Sequence, residues 1–494
     1  MLTGFRVHNF KAFQDTGHIE LAPFTLLSGI NSAGKSSLIQ MLLLLKQSLE
    51  SSPSQALNPS KGPFLQQSLG DNFNDFLFAH PDLSSATLTY HLAFAYDPSD
   101  NEVKLYSALN QLLDFIAVEL PRRLFAEVVV RFDWGANGHL HSTVRVADLQ
   151  IRLNIDENPL VGVHIQAKDE GEYEVEFDAS TCSQITELNL TQIEVVDFSH
   201  FWPDSLVIYG QPTTQDVTLS LARLFHRLFA AVRRDLSESI YYLSSFRTPP
   251  LRVYTTGQTG GMVLNPNGSN FAEVLWRFRE QLVPFVNPNG DELELPLRDM
   301  VARILRETLG LKQRVQVKPV AQGLEILEVK VETLGATPAL VTLPDVGLGY
   351  NQILPIIIQG LLTPPGGLVI FEQPEIHLHP EVQLRLINFF IGLARAGRWV
   401  LVETHSNLQV ESLCLAIAKA HRDQLEKKVN ILFVHPPDEN HPSARIEPVR
   451  INSYGEILNW PPYFLPDMAS LYEETLAAGL AKQVKEEKRR KMAA

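Results

Sequence analysis

The segment Gly29-Ile-Asn-Ser-Ala-Gly34-Lys35-Ser36 constrains this chain more than any other feature. It fits the Gly-x4-Gly-Lys-Ser/Thr phosphate loop and stands where such a loop must stand. Before it runs the apolar segment Phe24–Ser28; after it, Leu38, Met41, Leu42, Leu45 and Leu49 recur at helical spacing. Glycines let the backbone wrap a phosphate without a Cβ in the way, and the amides of the loop and helix start point inward. On this pattern Gly29, Asn31, Ser32, Ala33, Gly34, Lys35, Ser36 and Ser37 are the candidate nucleotide-binding residues. Lys35 would reach the β- and γ-phosphates of ATP, and the Ser36 hydroxyl would bind Mg²⁺. A chance glycine-rich turn is the competing reading, and the flanking strand and helix weigh against it.

Three further motifs follow. Leu368-Val-Ile-Phe371-Glu372-Gln373-Pro374-Glu375 is an apolar run ending in carboxylates, a buried strand that delivers acids to its C-terminal edge, where α/β sites lie. Glu372 is thus a candidate Mg²⁺ ligand, directly or through water. Thr404-His405-Ser406 closes a second short apolar strand, Trp399–Glu403. Asp345-Val-Gly347-Leu-Gly349-Tyr-Asn-Gln352 opens an apolar helix, and a glycine pair at a helix start makes an anion-binding amide cluster. Each of the three has a plain structural alternative: a solvated strand end, a structural histidine, a tight turn. Their order along one chain is the stronger signal.

Composition bounds the rest. At about 150 residues per domain, 494 residues allow two or three domains, and 45% hydrophobic residues suit a packed core. No apolar run is long enough to span a bilayer, and Met1–Phe10 lacks a signal-peptide pattern, so a cytoplasmic location without a membrane is expected. Cys182 and Cys414 have neither disulfide-framework nor zinc spacing. A net charge of −14 disfavours tight, sequence-blind DNA binding as the main activity. Lys482, Lys485, Lys488, Arg489, Arg490 and Lys491 form the one basic stretch, read as a solvated helix end. Period-two patterns over 86–178 predict an antiparallel sheet, and helices are expected over Asp216–Ser237, Asn270–Leu282 and Leu295–Leu309.

Phosphate loop, glycine-led helix, acidic strand end and histidine strand end resemble the ATP-binding-cassette branch of P-loop ATPases, the heads of structural-maintenance-of-chromosomes and RecF-type proteins. Glu372-Gln-Pro-Glu-Ile-His-Leu-His-Pro380 is similar to a run in the "overcoming lysogenisation defect" ATPases, many of whose relatives act in phage defence. Asn9–Phe13, Tyr242–Arg247 and Gly455–Pro461 look like landmarks of the same group. The resemblance covers residues 1–80 and about 240–465. It implies an α/β, ABC-type P-loop ATPase head, built from 1–80 and 240–465, with an inserted β-rich and helical region at 85–235 and a C-terminal helix at 466–494.

The resemblance also implies a mechanism. Two heads would sandwich two ATP molecules in a homodimer or higher homo-oligomer, with Asp345, Gly347, Gly349 and Gln352 of one copy closing on the γ-phosphate held by Lys35 of the other. His405 would contact that phosphate, and Gln66 or Gln67 would sense Mg²⁺ and the attacking water. Where relatives carry Asp-Glu, this chain has Glu372-Gln373, and an amide orients water but takes no proton. Either Glu375 supplies the base or hydrolysis is slow. The 89 residues after His405 lack the acidic pairs of a nuclease domain, so an effector such as a nuclease is expected on another chain. The alternatives are a RecF-like ATPase that binds DNA and a nucleotide-binding module that does not turn over. His377 and His379 are read as the stretch following the acidic strand rather than as a metal pair.

Overall fold

The computed structural model describes residues 1–462 apart from 52–55, 66, 71, 83–84, 98–102, 117–122, 138–140, 156–157, 169–172, 179–191, 210–214, 258–260, 322–324, 335–336 and 421–423. Gln66, Cys182 and the helix expected over 466–494 therefore lie outside the described residues.

A six-stranded sheet organises the functional half. Its order is Ile240–Leu243, Leu368–Glu372, Trp399–Glu403, Phe24–Gly29, Val429–His435 and Arg445–Val449, the first five parallel and the last antiparallel. The four inner strands are mostly apolar and buried because both faces are covered. Alternation divides them: Leu27, Ile370, Leu401 and Leu432 pack into one core, whereas Leu26, Phe371, Val402 and Phe433 pack into the other. The second core is closed by the helices Leu348–Leu362, Pro380–Arg395 and Asn407–Lys419.

The first core joins this sheet to an eight-stranded antiparallel one. Leu2–Phe10 pairs with Thr87–Tyr96, and from there the strands step outward to Tyr173–Asp178. Strict alternation in Thr87–Tyr96 turns Leu88, Tyr90, Leu92, Phe94 and Tyr96 inward. The phosphate-loop helix, Lys35–Glu50, lies in the same core, and the Tyr90 hydroxyl donates to the Met41 carbonyl at 3.3 Å. The strands predicted over 86–178 thus continue a sheet begun by the first residues of the chain.

The helix expected over Asp216–Ser237 forms as Gln215–Ser237. Two expectations need correction. The helix predicted over Asn270–Leu282 ends at Arg277, and Leu282–Val286 is a strand paired with Glu292–Pro296. The turn Asn287-Pro-Asn-Gly290, with Gly290 at φ 92°, closes that hairpin. Leu295 consequently sits in a strand, and the next helix starts only after Pro296, running Leu297–Arg303 and then a π-helical turn, Ile304–Thr308. Among the described residues no helix is long and apolar enough to cross a membrane.

Candidate functional site

The phosphate loop leaves the carboxyl end of its strand at Gly29, whose φ of 149° brings it against the next strand: a Cβ there would lie 2.6 Å from the Val434 carbonyl oxygen. Gly34, at φ 108°, caps the helix from the left-handed region. No side chain caps this helix start and no acid stands in its first turn, so its amides and positive dipole end are available to an anion. Asn31 and Ser32 are exposed and Ala33 is buried. The Ser37 amide donates to the Gly34 carbonyl within the first turn. Lys35 is 3% exposed and donates to the Gly29 and Ile30 carbonyls at 2.8 and 2.7 Å. Burial pushes its ammonium pKa down, and the nearby Glu403 and Glu375 oppose that shift.

Strand register brings two carboxylates side by side. Glu372 stands opposite Glu403, and Glu403 opposite Leu27 of the phosphate-loop strand. The Ser36 hydroxyl donates to Glu403, at 3.0 Å from one oxygen and 3.3 Å from the other. Glu403 is 1% exposed; burial first, and the neighbouring Glu372 next, push its carboxyl up to about 7. Glu372 leans toward the strand on its other side: it accepts from the Ser245 amide at 3.4 Å and from Tyr242, and burial raises its pKa too. Sequence reasoning placed Glu403 in a strand but gave it no role; the carboxylate one residue before Thr404-His405 was the signal that could have found it.

Gln373 has a left-handed backbone, φ 41°, and its amide donates to the Glu403 carbonyl at 2.8 Å. Glu375 is buried and fully engaged. Its Oε1 accepts from the Thr404 hydroxyl at 2.7 Å and the His405 amide at 2.9 Å, and its Oε2 accepts from Gln409 at 3.3 Å. It thereby fixes the turn that presents the exposed His405, whose pKa is lowered by partial burial and then by Lys35. His379 caps the helix Pro380–Arg395, accepting from the Glu381 amide at 3.3 Å, and His377 is a left-handed turn residue at φ 62°.

The glycine-led helix starts at Gly347, φ 86°, which is exposed and has open space, out to 4 Å, around the point where a Cβ would stand. Asp345 is clamped by both terminal nitrogens of Arg252, each at 3.0 Å, and by the Thr342 hydroxyl at 2.6 Å; these bonds lower its pKa. Gln352, one turn into the helix, is buried and accepts from Arg247 at 2.9 Å. The same guanidinium donates to the Glu372 carbonyl at 2.9 Å. Arg247 therefore ties the acidic strand end to the glycine-led helix, a role that its place in the Tyr242–Arg247 landmark did not reveal. Gln67 is an exposed loop residue.

The residues fit a magnesium nucleotide. Among the described residues no cluster of three or more His, Cys, Asp or Glu suits a metal ion alone. A magnesium nucleotide needs fewer protein ligands, because its phosphates supply oxygens. Ser36 with Glu403 and Glu372 could hold the cation, and the loop amides with Lys35 the phosphates. The cation would supply charge neutralisation at the phosphates. A cleft of about 870 Å³ lined by Pro364–Gly367, Ser239 and Trp399 opens at the opposite, amino-terminal ends of the strands, away from this chemistry.

A protein-family model described as an AAA ATPase domain matches residues 312–408, the stretch that holds the glycine-led helix, both carboxylates and His405. That match supports an ATPase domain over those residues. Solved structures similar to the chain include an Smc head bound to the C-winged helix domain of ScpA, at 11% identity and a TM-score of 0.40, covering 92% of this chain and 98% of that one. Another is the SMC head domain from Thermotoga maritima, at 10% identity and 0.36, covering 91% and 99%. No curated protein matches the chain. The fold is mixed α/β, the class expected from the sequence.

Proposed function

We propose that this chain is a nucleotide-dependent switch: it binds ATP with Mg²⁺, hydrolyses it slowly, and uses the bound state to hold two copies of itself closed. One observation carries this reading. A phosphate loop with free amides, a buried lysine and a Ser36–Glu403 contact stands on the same sheet as an acidic strand followed by an amide, Gln373, where a water-polarising carboxylate would serve hydrolysis best. The exposed start of the glycine-led helix is open to a phosphate brought by a second copy. Closure would then depend on ATP, because the phosphate completes the interface.

The resemblance to phage-defence ATPases supports a place in a multi-protein system with a separate effector, such as a nuclease, moved or released by closure. A module that binds ATP without turning it over is the second reading, and Gln373 is the observation in its favour. Steady-state ATP hydrolysis by the purified chain separates the two, with Lys35→Ala as the control that removes any genuine turnover. Gln373→Glu is expected to raise turnover about tenfold or more, as a general base does. Light scattering with and without ATP tests closure, and an ATP-independent monomer would sink the switch. Co-purification from the native host is expected to recover an effector protein.

A further inference from the structure

Among the described residues, Glu372 and Glu403 end neighbouring strands at the phosphate-loop edge of the sheet, and the sequence pattern points to Glu372 alone. Glu372 ends the acidic strand, but its side chain is taken up by Ser245 and Tyr242 on the side of strand Ile240–Leu243. Glu403 ends the strand between the acidic strand and the phosphate loop, and both its oxygens lie against the Ser36 hydroxyl. The next residue after Glu372 is an amide, which brings no charge. We propose that Glu403 is the magnesium-facing carboxylate of this site, acting with Ser36 on the strand neighbouring the acidic one, while Glu372 is a supporting acid held from behind. This rests on the ATP-binding reading above and adds to it which side chain faces the cation.

The geometry favours this assignment in three ways. Glu403 is one strand closer to the loop than Glu372, in register with Leu27, two residues before Gly29. It is an acceptor-only group at 1% exposure whose bond from Ser36 leaves most of its lone-pair capacity for a cation. The Lys35 ammonium nearby is engaged with the Gly29 and Ile30 carbonyls. A hydroxyl and a carboxylate already in hydrogen-bond contact are the pair of protein oxygens that Mg²⁺ takes beside nucleotide phosphates.

The test uses the full chain with a non-hydrolysable ATP analogue and Mn²⁺ as a paramagnetic stand-in for Mg²⁺. Electron paramagnetic resonance reads free and bound Mn²⁺. Nucleotide affinity is measured separately in EDTA. Glu403→Gln is expected to weaken Mn²⁺ binding in the nucleotide complex about tenfold or more, with affinity in EDTA within about twofold of wild type. Glu372→Gln should cost less than Glu403→Gln. Glu403→Asp keeps the charge but moves it one methylene from Ser36, so it should fall between wild type and Glu403→Gln, and it reads the same contact if the amide variant folds poorly. Unchanged Mn²⁺ binding in Glu403→Gln, or a larger loss in Glu372→Gln, overturns the assignment while leaving ATP binding intact. Failure of the wild type to bind the analogue at all overturns both this inference and the reading beneath it.

Discussion

Glu375 is the residue at which base chemistry and architecture make opposite forecasts. Three donors converge on its carboxylate, and two of them, the Thr404 hydroxyl and the Gln409 amide, belong to fully buried residues. Glu375→Ala strands both, at about 1–3 kcal/mol for each buried group left without a partner, and adds a cavity, for a loss of about 3–5 kcal/mol. Glu375→Gln behaves differently. Its amide oxygen can still accept from Thr404 and from the His405 amide. Its NH₂ turns toward Gln409, whose Oε1 is buried without a hydrogen-bond partner and can accept once that amide rotates. The expected cost is about 1 kcal/mol. Thermal or urea unfolding should therefore rank Glu375→Gln close to wild type and Glu375→Ala far below. Steady-state turnover supplies the second reading. If Glu375 only positions His405, the Gln variant keeps turnover within about tenfold; removing a general base would cost about 10²–10⁴. A Glu375→Gln protein that folds as wild type yet loses turnover more than a hundredfold would refute the hydrogen-bonding account and make Glu375 the proton acceptor.

Two further outcomes test the framework around the site. Arg398 is 1% exposed and donates to the Thr363, Pro284 and Leu361 carbonyls, tying the end of helix Leu348–Leu362 to the hairpin beneath it, and burial lowers its pKa to about 10. Arg398→Met should lower stability by about 3–5 kcal/mol, read by the unfolding midpoint, with Arg398→Lys intermediate because one ammonium cannot span three carbonyls. The Asp15 carboxyl is held down to about 2 by its bond from Arg6, so the pair stabilises the fold above the ordinary carboxylate range and loses that contribution as pH falls toward 2. Both partners are more than a third exposed, so Asp15→Asn should cost under about 1 kcal/mol at pH 7, and the gap from wild type should shrink between pH 5 and pH 2. A gap independent of pH would show that the ion pair is not its source.

The strand, loop and helix around the phosphate-loop motif were legible because such a motif demands residues that few other positions tolerate. Gly29 and Gly34 both need a backbone that L side chains rarely adopt, and the strand and helix on either side follow from local periodicity. The acidic strand, the histidine strand and the glycine-led helix were legible for the same local reason. What escaped was everything decided by pairing across distance. Ser36 and Glu403 are 367 residues apart, and no spacing rule joins them; only strand order places Glu403 beside the loop. The hairpin Leu282–Pro296 escaped because Leu282–Val286 continues the apolar character of the preceding helix, and the asparagine–proline–glycine turn decides against it.

Arg247 shows how these distant pairings can become a device. A switch of the proposed kind must make the contents of one phosphate site matter at the glycine-led helix, which in that proposal would serve the other copy's phosphate. Within one chain the Arg247 guanidinium bridges those two places, bonded to Gln352 on the helix and to the carbonyl of Glu372 on the acidic strand. Its anchoring is stiff because the residue is buried and its two shorter bonds go to acceptors on regular elements. Buried charge of this kind is a poor source of net stability, so its value lies in fixing geometry. A shift of the acidic strand end on loading a nucleotide would either move Gln352 with it or break a buried, charge-assisted bond, and that choice couples the two sites energetically without any contact between them.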